Sequence, residues 1–159
     1  MINNIEEKLS VVVPVFNEEA NIKSFLQSIE AVINKLKIDS EIIFSLDPSS
    51  DNSESIILNE IKRNPKIKLV TFSRRFGQPA ATMAGILSCT GDKCVVIDVD
   101  LQDPPEVIID MYSKMKEGYE VVYAKRLSRK GETFVKKAIS FFGYWLINKF
   151  STINIPENT

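Results

Sequence analysis

The stretch VVIDVDLQDPPE at 95–106 ends an apolar run in Asp98, Asp100 and Asp103, then two prolines. Asp98 and Asp100 stand two residues apart, so on an extended chain their side chains share one face. Neighbouring like charges repel unless a cation lies beside them. The sequence contains no histidine, so an ion held here meets oxygen ligands, which suit a hard divalent cation, Mg2+ or Mn2+. Gln102, two residues further on, adds a neutral carbonyl oxygen if the extended register persists. Asp103, directly before Pro104, is expected to cap the helix that the prolines open. The plain alternative is that the acids only solvate a loop. Against it, an apolar strand has little structural reason to end in two acids on one face.

The elements that must carry these acids follow from periodicity. Short β-branched or apolar runs at 9–16, 41–47, 66–73, 93–100 and 119–125 alternate with helical patterns at 17–37, 54–63, 79–89, 104–118 and 132–150. Such alternation implies right-handed βαβ units and a mostly parallel sheet covered on both faces, an α/β three-layer sandwich. No repeat or linker interrupts it, so one domain over 1–159 is expected. In open parallel sheets ligands sit beyond the carboxyl ends of the strands. The polar residues there are Asn17 and Glu18, Asp47 to Asp51, Ser73 to Gln78, Asp98 to Asp103, and Lys125 to Arg129.

Composition narrows the function. Twenty basic residues nearly balance 21 acidic ones, which gives no case for nucleic acid. Without histidine, acid–base or metal chemistry runs on carboxylates. Cys89 and Cys94 flank a turn-like TGDK; they can approach each other but read as buried small hydrophobes rather than a disulfide framework. The start MINNIEEKLS lacks the layout of a signal peptide, and no stretch has the apolar length of a spanning helix. The loop after the first strand reads PVFNEEAN, so a dinucleotide-binding Gly-x-Gly-x-x-Gly is missing.

The ordered blocks VVVPVFNEEANI, SLDPSSDNS, TFSRRFGQPAATMAGI, VVIDVDLQDPPEVI and AKRLSRKGETFVKK resemble family 2 glycosyltransferases of the GT-A (Rossmann-like) fold. They are most similar to the polyprenyl-phosphate glycosyltransferases, the group that includes dolichol-phosphate-mannose-synthase-like enzymes. The resemblance covers about residues 9 to 137. It implies transfer of a sugar from a UDP- or GDP-linked donor to a polyprenyl phosphate, with a metal and with inversion. By that resemblance Pro14, Phe16 and Glu18 contact the nucleotide, Asp47 contacts the base, and Asp98 and Asp100 are the Asp-x-Asp. Gln102 completes the metal shell, Asp100 is catalytic through the ion, and Arg126 and Arg129 stand near the phosphates. A phosphate acceptor is already anionic near neutral pH, so it needs little help from a base, and arginine forks suit phosphate oxygens. The alternatives are the same fold acting on a surface polysaccharide, and a non-catalytic nucleotide-sugar-binding module.

Three features depart from the family pattern. Asp-Asp-Gly-Ser reads Leu46-Asp47-Pro48-Ser49, and Ser-Arg-Asn-Phe-Gly reads Ser73-Arg74-Arg75-Phe76-Gly77. Arg75 is either solvated or an added charge beside the pocket. The family also continues into an acceptor-side Gly-Asp-Phe-Arg-Leu, whereas this chain stops at Thr159. A donor-binding core without the acceptor and membrane part is therefore expected. Residues 134–150 carry Phe134, Phe141, Phe142, Tyr144, Trp145 and Phe150 with Lys136, Lys137 and Lys149. That composition suits a helix on a membrane surface or against missing C-terminal residues; pairing into a homo-oligomer is the alternative. The expected location is cytoplasmic, at the inner face of the cell membrane in the full-length protein.

Overall fold

The computed structural model describes residues 7–125. The chain divides into two compact units, Met1–Ser113 and Lys114–Thr159. The first holds a four-stranded sheet with strands β1 (Lys8–Val15), β2 (Asp39–Leu46), β3 (Ile67–Thr71) and β4 (Lys93–Val96) in the order β3-β2-β1-β4. Every pairing is parallel. The helices are α1 (Ile22–Leu36), α2 (Ser53–Arg63), α3 (Gln78–Leu87) and α4 (Val107–Lys116).

Strand alternation sorts the core into two faces. Val11, Val13 and Val15 of β1, with Ile42, Phe44 and Leu46 of β2, join one cluster with Phe25 and Ile29 of α1, Ile57 of α2 and Ile108 of α4. The opposite face, with Val12 and Ser45, lies under α3. This helix buries only Ala81 and Gly85, and small residues are what let a helix backbone lie close to a sheet. A Cβ placed on Gly85 would collide with Val12 Cγ1 and come within 2.8 Å of Ser45 Oγ. Ser45 Oγ is itself buried without a hydrogen-bond partner among the described residues. Helices on both faces make the expected three layers.

At the amino ends of the strands a buried carboxylate ties the sheet together. Glu41 is 1% exposed. It accepts hydrogen bonds from Ser10 Oγ at 2.6 Å and from the amide and hydroxyl of Thr90 at 2.6 and 2.9 Å. Lys8, at 3.4 Å, and Lys68 supply the balancing charge. Burial alone would raise the Glu41 pKa, but the bonds from Lys68, Ser10 and Thr90 outweigh it and hold it well below the ordinary carboxylate range.

Several expected boundaries shift. The first helix begins at Ile22 rather than at 17, because Asn17, Glu18 and Glu19 bond to the neighbouring loop. Strand β4 ends at Val96 instead of running to 100, and Leu101 takes a φ of 57°. Helix α4 starts at Val107. Pro104 and Pro105 form a preceding turn whose carbonyls accept from Val107 and Ile108, so the helix opens four residues after Asp103 rather than directly behind it. The fifth strand expected at 119–125 does not form. An alternating apolar pattern makes a strand only where a partner ladder exists, and among the described residues this segment joins none, with Val121 81% exposed. Cys94 is exposed rather than buried, its sulfur 3.5 Å from that of Cys89, and both thiols are free. Among the described residues no helix is long and apolar enough to cross a membrane.

Two outcomes follow from the packing. Gly85→Ala lowers stability by about 1–3 kcal/mol, read as a lower urea midpoint at unchanged slope. Glu41→Gln also costs about 1–3 kcal/mol near neutral pH, less than for a fully buried pair because Lys68 is 43% exposed. A carboxyl whose pKa is depressed by folding stabilises above its ordinary value of 4.5 and loses that contribution as pH falls. The gap between wild type and Glu41→Gln in urea unfolding should therefore narrow below about pH 4.5. A gap independent of pH from 7 to about 3 would remove the ionised carboxylate from the account.

Candidate functional site

The crevice opens where β1 and β4 part. Their pairing runs from Leu9↔Lys93 to Val12↔Val96, and one more bond, from the Ile97 amide to the Val12 carbonyl at 3.1 Å, closes the ladder. Pro14 comes next on β1 and has no N–H to offer, so the proline sits where pairing must stop. The strand order steps from β1 to β2 on one side and to β4 on the other. This is the switch point at which parallel sheets leave room for a ligand.

A cavity of about 290 Å3 lies there, lined by Pro14, Val15, Phe16, Glu18, Asp47, Arg75, Gly77, Gln78, Ala81, Asp98, Val99 and Asp100. Six residues anticipated from sequence, Pro14, Phe16, Glu18, Asp47, Asp98 and Asp100, thus meet at one place. Asp98 and Asp100 reach it through an irregular step and a turn after Val96, not on an extended strand. That change of backbone carries Gln102 away. It is exposed and outside the lining; its amide donates to Asp100 Oδ1 at 3.1 Å. Arg126, Arg129 and the helical pattern at 132–150 lie outside the described residues.

Asp47 is only 2% exposed. Its Oδ1 accepts from the Phe76 amide at 3.1 Å and its Oδ2 from the Gly77 amide at 2.7 Å. The carboxylate therefore anchors the loop that leads into α3. Gly77 holds a φ of 88°, a region open to glycine and costly for a residue with a Cβ. Directly beyond it, Gln78 Nε2 donates to Asp98 Oδ1 at 2.9 Å. Arg75, on the other side, lays its guanidinium 3.9 Å over the Phe16 ring, while Arg74 lies over Phe76 at 4.4 Å.

The loops after β1 and β2 are laced together. The amides of Asn17, Glu18 and Glu19 donate to Ser49 Oγ, Ser53 Oγ and Asp51 Oδ2 at 3.0, 2.9 and 2.9 Å. In return the amides of Ser50 and Asn52 donate to Asn17 Oδ1 and Glu19 Oε2, both at 2.8 Å. Burial would raise the pKa of Asp51, but bonds from the Glu19 amide and from Ser53 outweigh it and lower it. Asn17 adopts a φ of 55°, which asparagine tolerates better than most. Glu18 Oε2 accepts from Asn21 Nδ2 at 2.6 Å.

Sequence reasoning placed 73–78 among the polar strand ends but gave Gly77 and Gln78 no role and left Arg75 undecided. The signal for Arg75 was its departure from the family's asparagine. Ala81 carried no signal, since a small residue in a helix reads as packing.

Among the described residues no group of three or more acidic, histidine or cysteine side chains could hold a metal. The two carboxylates still fit the chemistry, because Mg2+ or Mn2+ binds commonly through one or two protein carboxylates, waters and substrate phosphates.

Known proteins bear on the same residues. The family model described as Glycosyl transferase family 2 matches residues 10–158. The Bacillus subtilis (strain 168) glycosyltransferase YkcC is 45% identical over 150 residues, 94% of this chain and 46% of its own length. A bactoprenol glucosyl transferase of Shigella phage SfX is 40% identical over 151 residues, 95% of this chain and 49% of its own. The chain thus spans about half the length of these relatives. Among solved structures, glucosyl-3-phosphoglycerate synthase from Mycobacterium tuberculosis with uridine-diphosphate superposes at a TM-score of 0.64 and 23% identity, covering 90% of this chain and 50% of that one. Staphylococcus aureus TarS 1-349 with UDP gives 0.63 and 23%, covering 79% and 37%. At that identity the likeness establishes the shared fold.

Replacing Asp47 by Asn leaves one acceptor for two amides. The expected cost is about 1–3 kcal/mol, with faster hydrogen exchange at the Phe76 and Gly77 amides. Unchanged exchange at both would show that the loop does not depend on this carboxylate.

Proposed function

From the premise that this chain belongs to glycosyl transferase family 2, we propose that it forms the nucleotide-sugar-binding part of an enzyme transferring a sugar from a nucleoside diphosphate to a polyprenyl phosphate. The observation that carries the reading is the convergence of Pro14, Phe16, Glu18, Asp98 and Asp100 on one cavity at the switch point of the sheet. The relatives named bactoprenol glucosyl transferase support the acceptor class.

In this reading Phe16 and its loop receive the nucleoside, and Asp98 and Asp100 hold Mg2+ or Mn2+ against the diphosphate. The ion, when bound, neutralises charge that develops on the leaving diphosphate. Gln78 fixes one oxygen of Asp98, and the turn after Asp100 fixes one of its oxygens through the Gln102 amide. The two acids are thereby oriented before any ligand arrives, which lowers the ordering cost of binding. An oxygen of the acceptor phosphate attacks the anomeric carbon as the bond from that carbon to the diphosphate breaks. The configuration inverts and the nucleoside diphosphate departs. Arg126 and Arg129 are assigned to the phosphates on the strength of the family resemblance. Residues 134–150, with their aromatics and flanking lysines, are the proposed contact with a membrane surface at its cytoplasmic side.

Isothermal titration with UDP and GDP, each with and without Mn2+, tests the donor site. One nucleotide should bind in a metal-dependent way, and Asp98→Asn and Asp100→Asn should each weaken that binding by about 10–100-fold or more. Metal-independent binding, or none by either nucleotide, sinks the proposal. Formation of a lipid-linked sugar from undecaprenyl phosphate then tests the acceptor.

A further inference from the structure

We propose that Arg75 is a nucleotide-contacting residue whose guanidinium, laid over Phe16, forms the plane on which the nucleobase stacks. The inference rests on the donor-binding reading above and adds a residue to it.

Three observations converge. Arg75 lines the same cavity as Phe16, Asp98 and Asp100, and it is the one cationic side chain among the described lining residues. Its guanidinium carbon stands 3.9 Å from the Phe16 ring centroid, so one face of Phe16 is covered by this cation. Asp47, expected to contact the base, also lines the cavity, and each of its oxygens is tied to the Phe76 or Gly77 amide, so it is held in place beside Arg75.

The magnitudes favour a prepared surface over a passing contact. A cation over an exposed aromatic ring gains about 0.5–1 kcal/mol, which biases the Arg75 side chain toward the stacked rotamer. The ring occupies one face of the guanidinium and leaves the other for a base; arginine planes stack bases much as aromatic rings do. Lysine keeps the charge but has no plane. The backbone enforces the direction, because the Asp47 clamp fixes the residues that follow Arg75 while Arg74 turns outward over Phe76.

The test uses the full chain with Mn2+ and compares wild type, Arg75→Lys, Arg75→Ala and Phe16→Leu. Titration is run with whichever of UDP or GDP binds wild type, and with inorganic pyrophosphate, which has no base. A base platform predicts about a tenfold loss of nucleotide affinity in all three variants, with pyrophosphate affinity unchanged. If Arg75→Lys binds nucleotide like wild type, or Arg75→Ala loses pyrophosphate by the same factor as nucleotide, Arg75 is a counter-charge to phosphate and the proposal is overturned. It is overturned equally if every variant binds nucleotide as wild type does. Failure of wild type to bind either nucleotide overturns the donor-site reading, and this inference with it. Arg75 is exposed, so thermal unfolding of its two variants should match wild type and keep misfolding out of the comparison.

Discussion

The separation of β1 from β4 is the constraint on which the site depends. On the side of β1 that faces β4, alternate residues supply the ladder amides, and Pro14, the next in that series after Val12, cannot. The ladder closes at Val12 and Ile97. Beyond that point the two chains diverge, one into the Phe16 to Glu19 loop and the other into the turn bearing Asp98 and Asp100. The space between them is what a ligand can enter, and the acids stand on its wall because a strand that has lost its partner can turn.

A crevice bounded by loops needs something to hold those loops still. Here it is hydrogen bonding among the loops themselves. Serine hydroxyls and the Asp51 carboxylate take up the amides after β1, while Asn17 and Glu19 take up amides after β2. Asp47 anchors the third loop, and Gln78 joins it to the fourth through Asp98. Four strand ends are thus connected before any ligand is present. Within Leu46-Asp47-Pro48-Ser49 the serine agrees with the family pattern, and its hydroxyl accepts the Asn17 amide of the neighbouring loop.

Much of this was legible in the sequence. Four strands and four helices appear where apolar periodicity put them, because a sheet covered on both faces demands continuous apolar strands. The convergence of Glu18, Asp47, Asp98 and Asp100 was readable because ligands collect at the carboxyl ends of parallel strands, while Phe16 was indicated by the family resemblance alone. Where the reading went astray, a local pattern was overridden by a partner elsewhere. Gln102 left the expected register because strand propensity cannot say where pairing stops. The alternation in 119–125 did not make a strand because it joins no ladder among the described residues. Asp47 does line the cavity, but nothing in its neighbours reveals that it would also hold two amides about 30 residues away. Cys94 read as interior because thiols near a strand are most often small buried hydrophobes.

The Glu41 assembly lies at the opposite end of the strands from the crevice, and that separation has an evolutionary meaning. Its ions and hydroxyls lock β1, β2, β3 and the Thr90 turn together without drawing on any residue that lines the cavity. Selection can then rewrite the loops at one pole, exchanging an asparagine for Arg75 or a glycine for Pro48, while the other pole goes on fixing the architecture. A scaffold divided in this way can vary what its crevice receives without first surrendering its fold.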